Sequence, residues 1–116
     1  MSLADQKCVP SKKGTPPLPS ERVDALLEEV GGDWALDAQG HLACTFLFPD
    51  FAKALAFADE VGAIADAEDH HPELHISWGK CVVELWTHTV GGLSEADFVL
   101  AAKAERVFRE PKAVGP

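Results

Sequence analysis

The chain has 116 residues, 47% of them apolar and 25% charged, with 10 Lys and Arg against 19 Asp and Glu for a net charge of −9. That length holds one small domain, since domains usually run to about 100–150 residues, and it excludes a catalytic domain joined to a regulatory one. An acid excess of this size repels phosphodiester backbones, so no direct nucleic-acid binding is expected and a small or neutral ligand is favoured.

Cys8, Cys44 and Cys81 are odd in number and widely spaced, which suits neither a disulfide framework nor a metal knuckle and points to a reducing compartment. No run reaches the roughly 18 apolar residues of a membrane span. The start, Met1-Ser2-Leu3-Ala4-Asp5, lacks a charged-then-apolar signal layout. The expectation is a cytoplasmic protein with no membrane contact.

Residues 1–19 show no hydrophobic period and contain Pro10, Pro16, Pro17 and Pro19, whose fixed φ predicts an extended N-terminal arm. Ser20 then reads as an N-cap, followed by Val23, Leu26, Leu27 and Val30 at helical spacing and closed by Gly31-Gly32. From Trp34 the period changes to two. Trp34 and Leu36 alternate, Asp37-Ala38-Gln39-Gly40 supplies a turn, and Leu42, Cys44, Phe46 and Phe48 share a face, which predicts a hairpin.

After Pro49-Asp50 a long helix is expected, with Phe51, Ala54, Leu55, Ala58, Val61 and Ala65 on its apolar side. It must stop before Pro72, which leaves His70 and His71 just past its end. A second hairpin follows: Leu74 to Trp78, a Gly79-Lys80 turn, then Cys81 to His88, with Val82, Glu84, Trp86 and His88 on the face away from the helices. Ser94 caps a last helix that ends near Pro111. The order α-ββ-α-ββ-α predicts an α+β domain over 20–110: a four-stranded antiparallel sheet with three helices on one face, then a short tail at 111–116.

The chemistry concentrates in histidine. His70, His71 and His88 fall at element ends, and Asp66 precedes His70 by about one helical turn. Imidazoles both take and give protons near neutrality, and a carboxylate orients one of them. From spacing alone the commoner reading of adjacent histidines before a proline is a solvated turn. Metal binding is a further rival, though neither a His-Glu-x-x-His motif nor a cysteine knuckle is present. Asp97 reads first as a residue that complements the last helix's N-terminus, Trp86 and Trp78 as strand packing or interface, and His41 and His75 as surface strand residues. No serine or cysteine stands in a nucleophile motif.

One longer pattern brings these positions together. Asp66-x-x-x-His70-His71-Pro72, five residues, Trp78, nine residues, His88, eight residues and Asp97 run with Thr87-His88 and Gly92-Leu93-Ser94 between them. Phe48-x-x-Phe51, Trp34 and the arm segments Lys7-Cys8-Val9-Pro10 and Gly14-Thr15-Pro16-Pro17-Leu18 extend it over nearly the whole chain. The sequence resembles the pterin-4a-carbinolamine dehydratase family. The resemblance implies the same α+β fold and a lyase that dehydrates 4a-hydroxytetrahydropterin to quinonoid dihydropterin, recycling the tetrahydrobiopterin-type cofactor of aromatic amino acid hydroxylases. It implies no metal and no organic cofactor, a pterin as the small-molecule partner, and a homodimer or homotetramer. By position it makes His70, His71 and His88 the active-site histidines, with Asp66 (where the family usually has glutamate) and Asp97 binding substrate or supporting the site; Trp86 departs from the family's usual small polar residue and is a further candidate, narrowing the pocket or covering an interface. The alternative is a non-catalytic adaptor of the same fold that captures partners through a sheet edge or helix face.

Overall fold

The computed structural model describes residues 2–110; the expected tail at 111–116 lies outside them. Three helices and four strands occur in the expected order: α1 Ser20–Val30, β1 Ala35–Leu36, β2 Leu42–Leu47, α2 Phe51–Glu68, β3 Glu73–Ser77, β4 Lys80–Leu85 and α3 Glu95–Arg109. The strands form one antiparallel sheet in the order β1-β2-β4-β3, so β4 lies inside and β1 and β3 are the edges. Along β4, Cys81, Val83 and Leu85 are fully buried against the helices while Val82, Glu84 and Trp86 are only half-buried on the opposite face.

The core fills the space between that sheet face and the helices, with Leu26 from α1, Leu42 and Val83 from the sheet, Val61 from α2, and Phe98 and Leu100 from α3 all wholly buried. Trp34 meets Phe46 edge-on at 5.8 Å, and Phe46 continues to Phe57 at 4.7 Å and Phe108 at 4.9 Å. Trp34 is also a donor: its indole Nε1 lies 3.0 Å from the buried carboxylate of Glu105, which Arg109 holds from the other side at 2.6 Å.

Several boundaries differ from the sequence expectation, each for a local reason. Pro19 occupies the cap of α1, its carbonyl accepting from Arg22 and Val23, so Ser20 is already helical. The α2 helix is capped by Asp50, whose side chain accepts from the Lys53 N–H at 2.8 Å. It ends at Asp69, which turns left-handed at φ 53°, three residues before Pro72. Its apolar stripe is narrower than predicted: Ala54, Phe57, Ala58, Val61 and Ala65 are buried, but Phe51 and Leu55 are exposed. The tight turn of the second hairpin is Trp78-Gly79, with Gly79 at φ +77°, one residue earlier than expected.

Strand β4 stops at Leu85 rather than running to His88. Thr87 pairs instead with Gly92, and His88–Val90 form a single 3-10 turn. The arm is not wholly extended either. Leu3–Asp5 make a 3-10 turn whose Leu3 is buried, and Lys103 and Arg106 of α3 both donate to the Ala4 carbonyl. Among the described residues no helix is long and apolar enough to cross a membrane.

Candidate active site

The site is built where three connections meet: the loop after α2, the turn after β4, and the start of α3. The left-handed Asp69 lets the His70 N–H return to the Ala65 carbonyl at 3.2 Å, and this swings the His70 ring under α3. There its Nε2 lies 2.6 Å from Oδ1 of Asp97. Asp97 is 0% exposed, whereas the His70 side chain retains 15% exposure. An uncompensated carboxylate that deep is costly, so its lone pairs need donors.

They have them. Asp97 Oδ2 accepts the Ser94 backbone N–H at 2.9 Å and the Thr87 hydroxyl at 2.8 Å, and the Thr87 and Ser94 hydroxyls are 2.6 Å apart. Asp97 therefore completes the N-terminus of α3, as its spacing suggested, and holds His70 with its other oxygen.

His71 is arranged differently. It stands in solvent with its Nε2 3.0 Å from Oδ1 of Asp66, the side chains being 58% and 82% exposed. The aspartate, though shorter than glutamate, reaches its imidazole. Both residues line the end of an open groove of about 960 Å³ between α2 and β3, whose walls include Ala52, Leu55, Leu74 and Ile76.

His88 lies exposed in the 3-10 turn, directly after Thr87, and its ring has no hydrogen-bond partner among the described residues. That turn is closed by the Gly91 N–H on the His88 carbonyl at 3.0 Å and by the Thr87 N–H on the Gly92 carbonyl at 2.7 Å. The arm braces it from outside, with the Leu18 N–H on the Leu93 carbonyl at 2.9 Å. A Cβ on Gly92 would lie 2.8 Å from the Pro17 Cβ, so a glycine is required for the arm to sit this close.

Of the six residues singled out, the structure thus joins His70 to Asp97 and His71 to Asp66, and sets His88 beside Thr87. Trp86 points to the opposite sheet face, where its ring stacks on His41 at 4.0 Å and 9°. The same face holds a second histidine group that spacing did not foresee. Glu84 receives His41 Nδ1 on one oxygen at 2.6 Å and His75 Nε2 on the other at 3.2 Å.

The residues whose atoms could hold a cation also lie there, as Asp37, His41 and Glu84 or as Glu73, His75 and Glu84. Both Glu84 oxygens already accept hydrogen bonds from these imidazoles. Among the described residues His70, His71 and His88 belong to no such group.

Thr87 and Ser94 are the parts of the site that sequence reasoning left unassigned. The available signal was the alternation along β4, which puts Thr87 on the inward side after Val83 and Leu85. A hydroxyl there needs a buried partner. No thiol is poised as a nucleophile: burial pushes Cys8 and Cys81 up to about 11 and Cys44 up to about 12.

What the arrangement offers chemically is one imidazole held in a fixed orientation by a buried carboxylate, with two further imidazoles exposed, His71 next to it in the chain and His88 directly after Thr87. Residues 16–107 match the family model described as pterin 4 alpha carbinolamine dehydratase. A Rickettsia bellii protein bearing the pterin-4-alpha-carbinolamine dehydratase name is 48% identical over 104 residues, covering 90% of this chain and 92% of that protein. A Methylococcus capsulatus protein of the same name is 44% identical over 110 residues, covering 94% and 96%. Among solved structures, a transcriptional coactivator/pterin dehydratase from Brucella melitensis superposes with a TM-score of 0.74 at 28% identity, over 79% of this chain and 98% of that one. The chain belongs to the pterin-4α-carbinolamine dehydratase family, a family of hydro-lyases.

Proposed function

We propose that this protein dehydrates 4a-hydroxytetrahydropterin to quinonoid dihydropterin and water by histidine general acid–base catalysis, and so returns the pterin cofactor of aromatic amino acid hydroxylases to use. The observation that carries the reading is the buried His70–Asp97 contact of 2.6 Å. An ionised carboxylate only accepts hydrogen bonds, so the proton between the two groups belongs to His70 Nε2. In the neutral ring the lone pair is then on Nδ1, which makes that atom the base. It removes the proton from pterin N5 as the N5=C4a double bond forms. The hydroxyl on C4a leaves as water after taking a proton from an acid, for which His71 and His88 are the candidates. Asp66, 3.0 Å from His71 Nε2, orients that ring.

General acid–base catalysis of this kind contributes about 10²–10⁴-fold. The test is to generate the 4a-hydroxypterin in situ and follow its disappearance by absorbance. The wild-type protein should accelerate the loss, and a rate equal to the uncatalysed one would remove the reading.

A homo-oligomer of two or four copies is part of the proposal, supported by the free edge of β3 and by the exposure of Trp78 (72%) and Leu47 (70%). Light scattering after gel filtration measures it. Three free cysteines fit a cytoplasmic location. A second reading, an adaptor that binds partners through the apolar α2–β3 groove, is favoured by the coactivator name of the Brucella structure and by the exposure of Leu55 and Ile76. Partner capture that is unaffected by His70→Ala in a protein without dehydratase activity would support it.

A further inference from the structure

We propose that Thr87 is a positioning residue for the reaction: its hydroxyl fixes the Asp97 carboxylate and, through it, the orientation of the His70 ring. The inference rests on the reading of His70 as the base. It goes beyond that reading by naming the group that makes His70 fit for the role.

Each polar group at this corner has a fixed number of protons to give. Asp97 is wholly buried and accepts only, so Thr87, 2.8 Å from Oδ2, must donate to it. A hydroxyl has one proton. The Ser94 hydroxyl, 2.6 Å from Thr87, must therefore donate to Thr87 and not the reverse. With the Ser94 N–H also on Oδ2 at 2.9 Å, that oxygen is fully occupied and Oδ1 is left for His70. The proton order runs one way, from Ser94 through Thr87 to Asp97, and it leaves a single place for the His70 Nε2–H.

Thr87 can do this because its own backbone is pinned. Its N–H bonds the Gly92 carbonyl at 2.7 Å, and the Gly92 N–H returns to the Thr87 carbonyl at 3.4 Å. The residue sits at 9% exposure, where water cannot replace its hydroxyl freely. The same residue immediately precedes His88, so one pinned position links the placement of two site histidines. The other polar groups around this corner lie further out: Cys8 donates to the Ala96 carbonyl at 3.5 Å, and Glu68 stands between the Cys8 N–H at 2.7 Å and Lys103 at 3.9 Å. None of these contacts reaches an Asp97 oxygen among the hydrogen bonds of the described residues.

The experiment compares wild type, Thr87→Val and Thr87→Ser by steady-state dehydration kinetics and by the ¹⁵N signals of the His70 imidazole. Valine keeps the shape and removes the donor, whereas serine keeps the donor. The expected result for Thr87→Val is a fall in kcat of about tenfold, the scale of one lost oriented hydrogen bond, with KM within about twofold of wild type. Its His70 Nε2–H signal should move from the wild-type position as the bond to Asp97 Oδ1 loosens, and Thr87→Ser should restore both kcat and the signal.

Unchanged kcat in Thr87→Val, or a fall in kcat with the His70 Nε2–H signal unmoved, would overturn the inference. If Thr87→Val does not fold, Thr87→Cys, with a weaker donor of similar size, carries the same comparison. If the wild type is inactive on the hydroxypterin, the functional reading fails, and the His70 spectra alone decide whether Thr87 orients the ring.

Discussion

Two faces of the same sheet each hold a carboxylate between hydrogen-bonding partners, and they differ in what backs it. On the inner side Asp97 is fully buried, with one oxygen saturated by the Thr87 hydroxyl and the Ser94 N–H, so only the other is left for His70. On the outer side Glu84 gives one oxygen to His41 and the other to His75, and its side chain keeps 17% exposure. Residue chemistry alone would rank the two groups alike. Burial and fixed backbone donors separate them, because an imidazole aimed by a rigid partner can present one defined nitrogen to a substrate, while imidazoles that share a carboxylate on a partly open face are screened by solvent and anchored through that carboxylate.

The contrast breaks first at the carboxylates. Asp97→Ala leaves His70, Thr87 and the Ser94 N–H without their common acceptor and should cost about 2–3 kcal/mol of stability, the scale for leaving buried donors unpaired. Glu84→Ala should cost about 1 kcal/mol or less. Urea unfolding midpoints measure both, and equal losses would show that the inner group is no more than a surface pair. At the histidines, His70→Ala should lower kcat by about 10²-fold or more, whereas His75→Ala, outside the proposed machinery, should leave it within about twofold. Steady-state dehydration assays on the two variants decide this.

Weaker effects sharpen the same comparison. Gly92→Ala places a methyl 2.8 Å from the Pro17 Cβ, so the arm must shift. A loss of about 1–3 kcal/mol is expected from such overpacking, with earlier proteolysis of the arm and a thermal midpoint lowered accordingly. Smallest is the effect of thiol reagents. With Cys8 and Cys81 at about 11 and Cys44 at about 12, each raised by burial, the thiolate is scarce below those values and grows only as pH approaches them. Iodoacetamide at pH 8 should therefore leave activity intact, and mass spectrometry should find the three thiols unlabelled in the time that labels an unfolded control.

Much of this architecture was legible from spacing. Val23, Leu26 and Val30 mark α1, Leu42, Cys44 and Phe46 mark the inward side of β2, and all of them are buried. Periodicity reports which face is apolar, not what covers it, which is why Phe51 and Leu55 were placed with the buried side of α2 yet are exposed. His88 was placed on β4 because the strand pattern continues to it. The Thr87 to Gly92 bridge ends the strand sooner, and that bridge depends on the glycine pair and on the arm packed against it.

Asp97 shows the limit most clearly. Three residues after Ser94 its spacing announces a helix start, and the structure agrees, but its bond to His70 spans 27 residues and two loops. Only the longer resemblance pointed there. Thr87 had a local sign, a hydroxyl on an inward strand position, whose partner could be named only in three dimensions.

The most direct measurement is kcat/KM for Asp97→Asn beside Glu84→Gln in the same dehydration assay. Asparagine keeps the size of the side chain but can donate to His70 Nε2 and so place the ring's proton on the wrong nitrogen, and the expected loss is about 10²–10⁴-fold. Glu84→Gln should stay within about threefold of wild type. An Asp97→Asn enzyme as active as wild type, or one no more impaired than Glu84→Gln, would contradict the account.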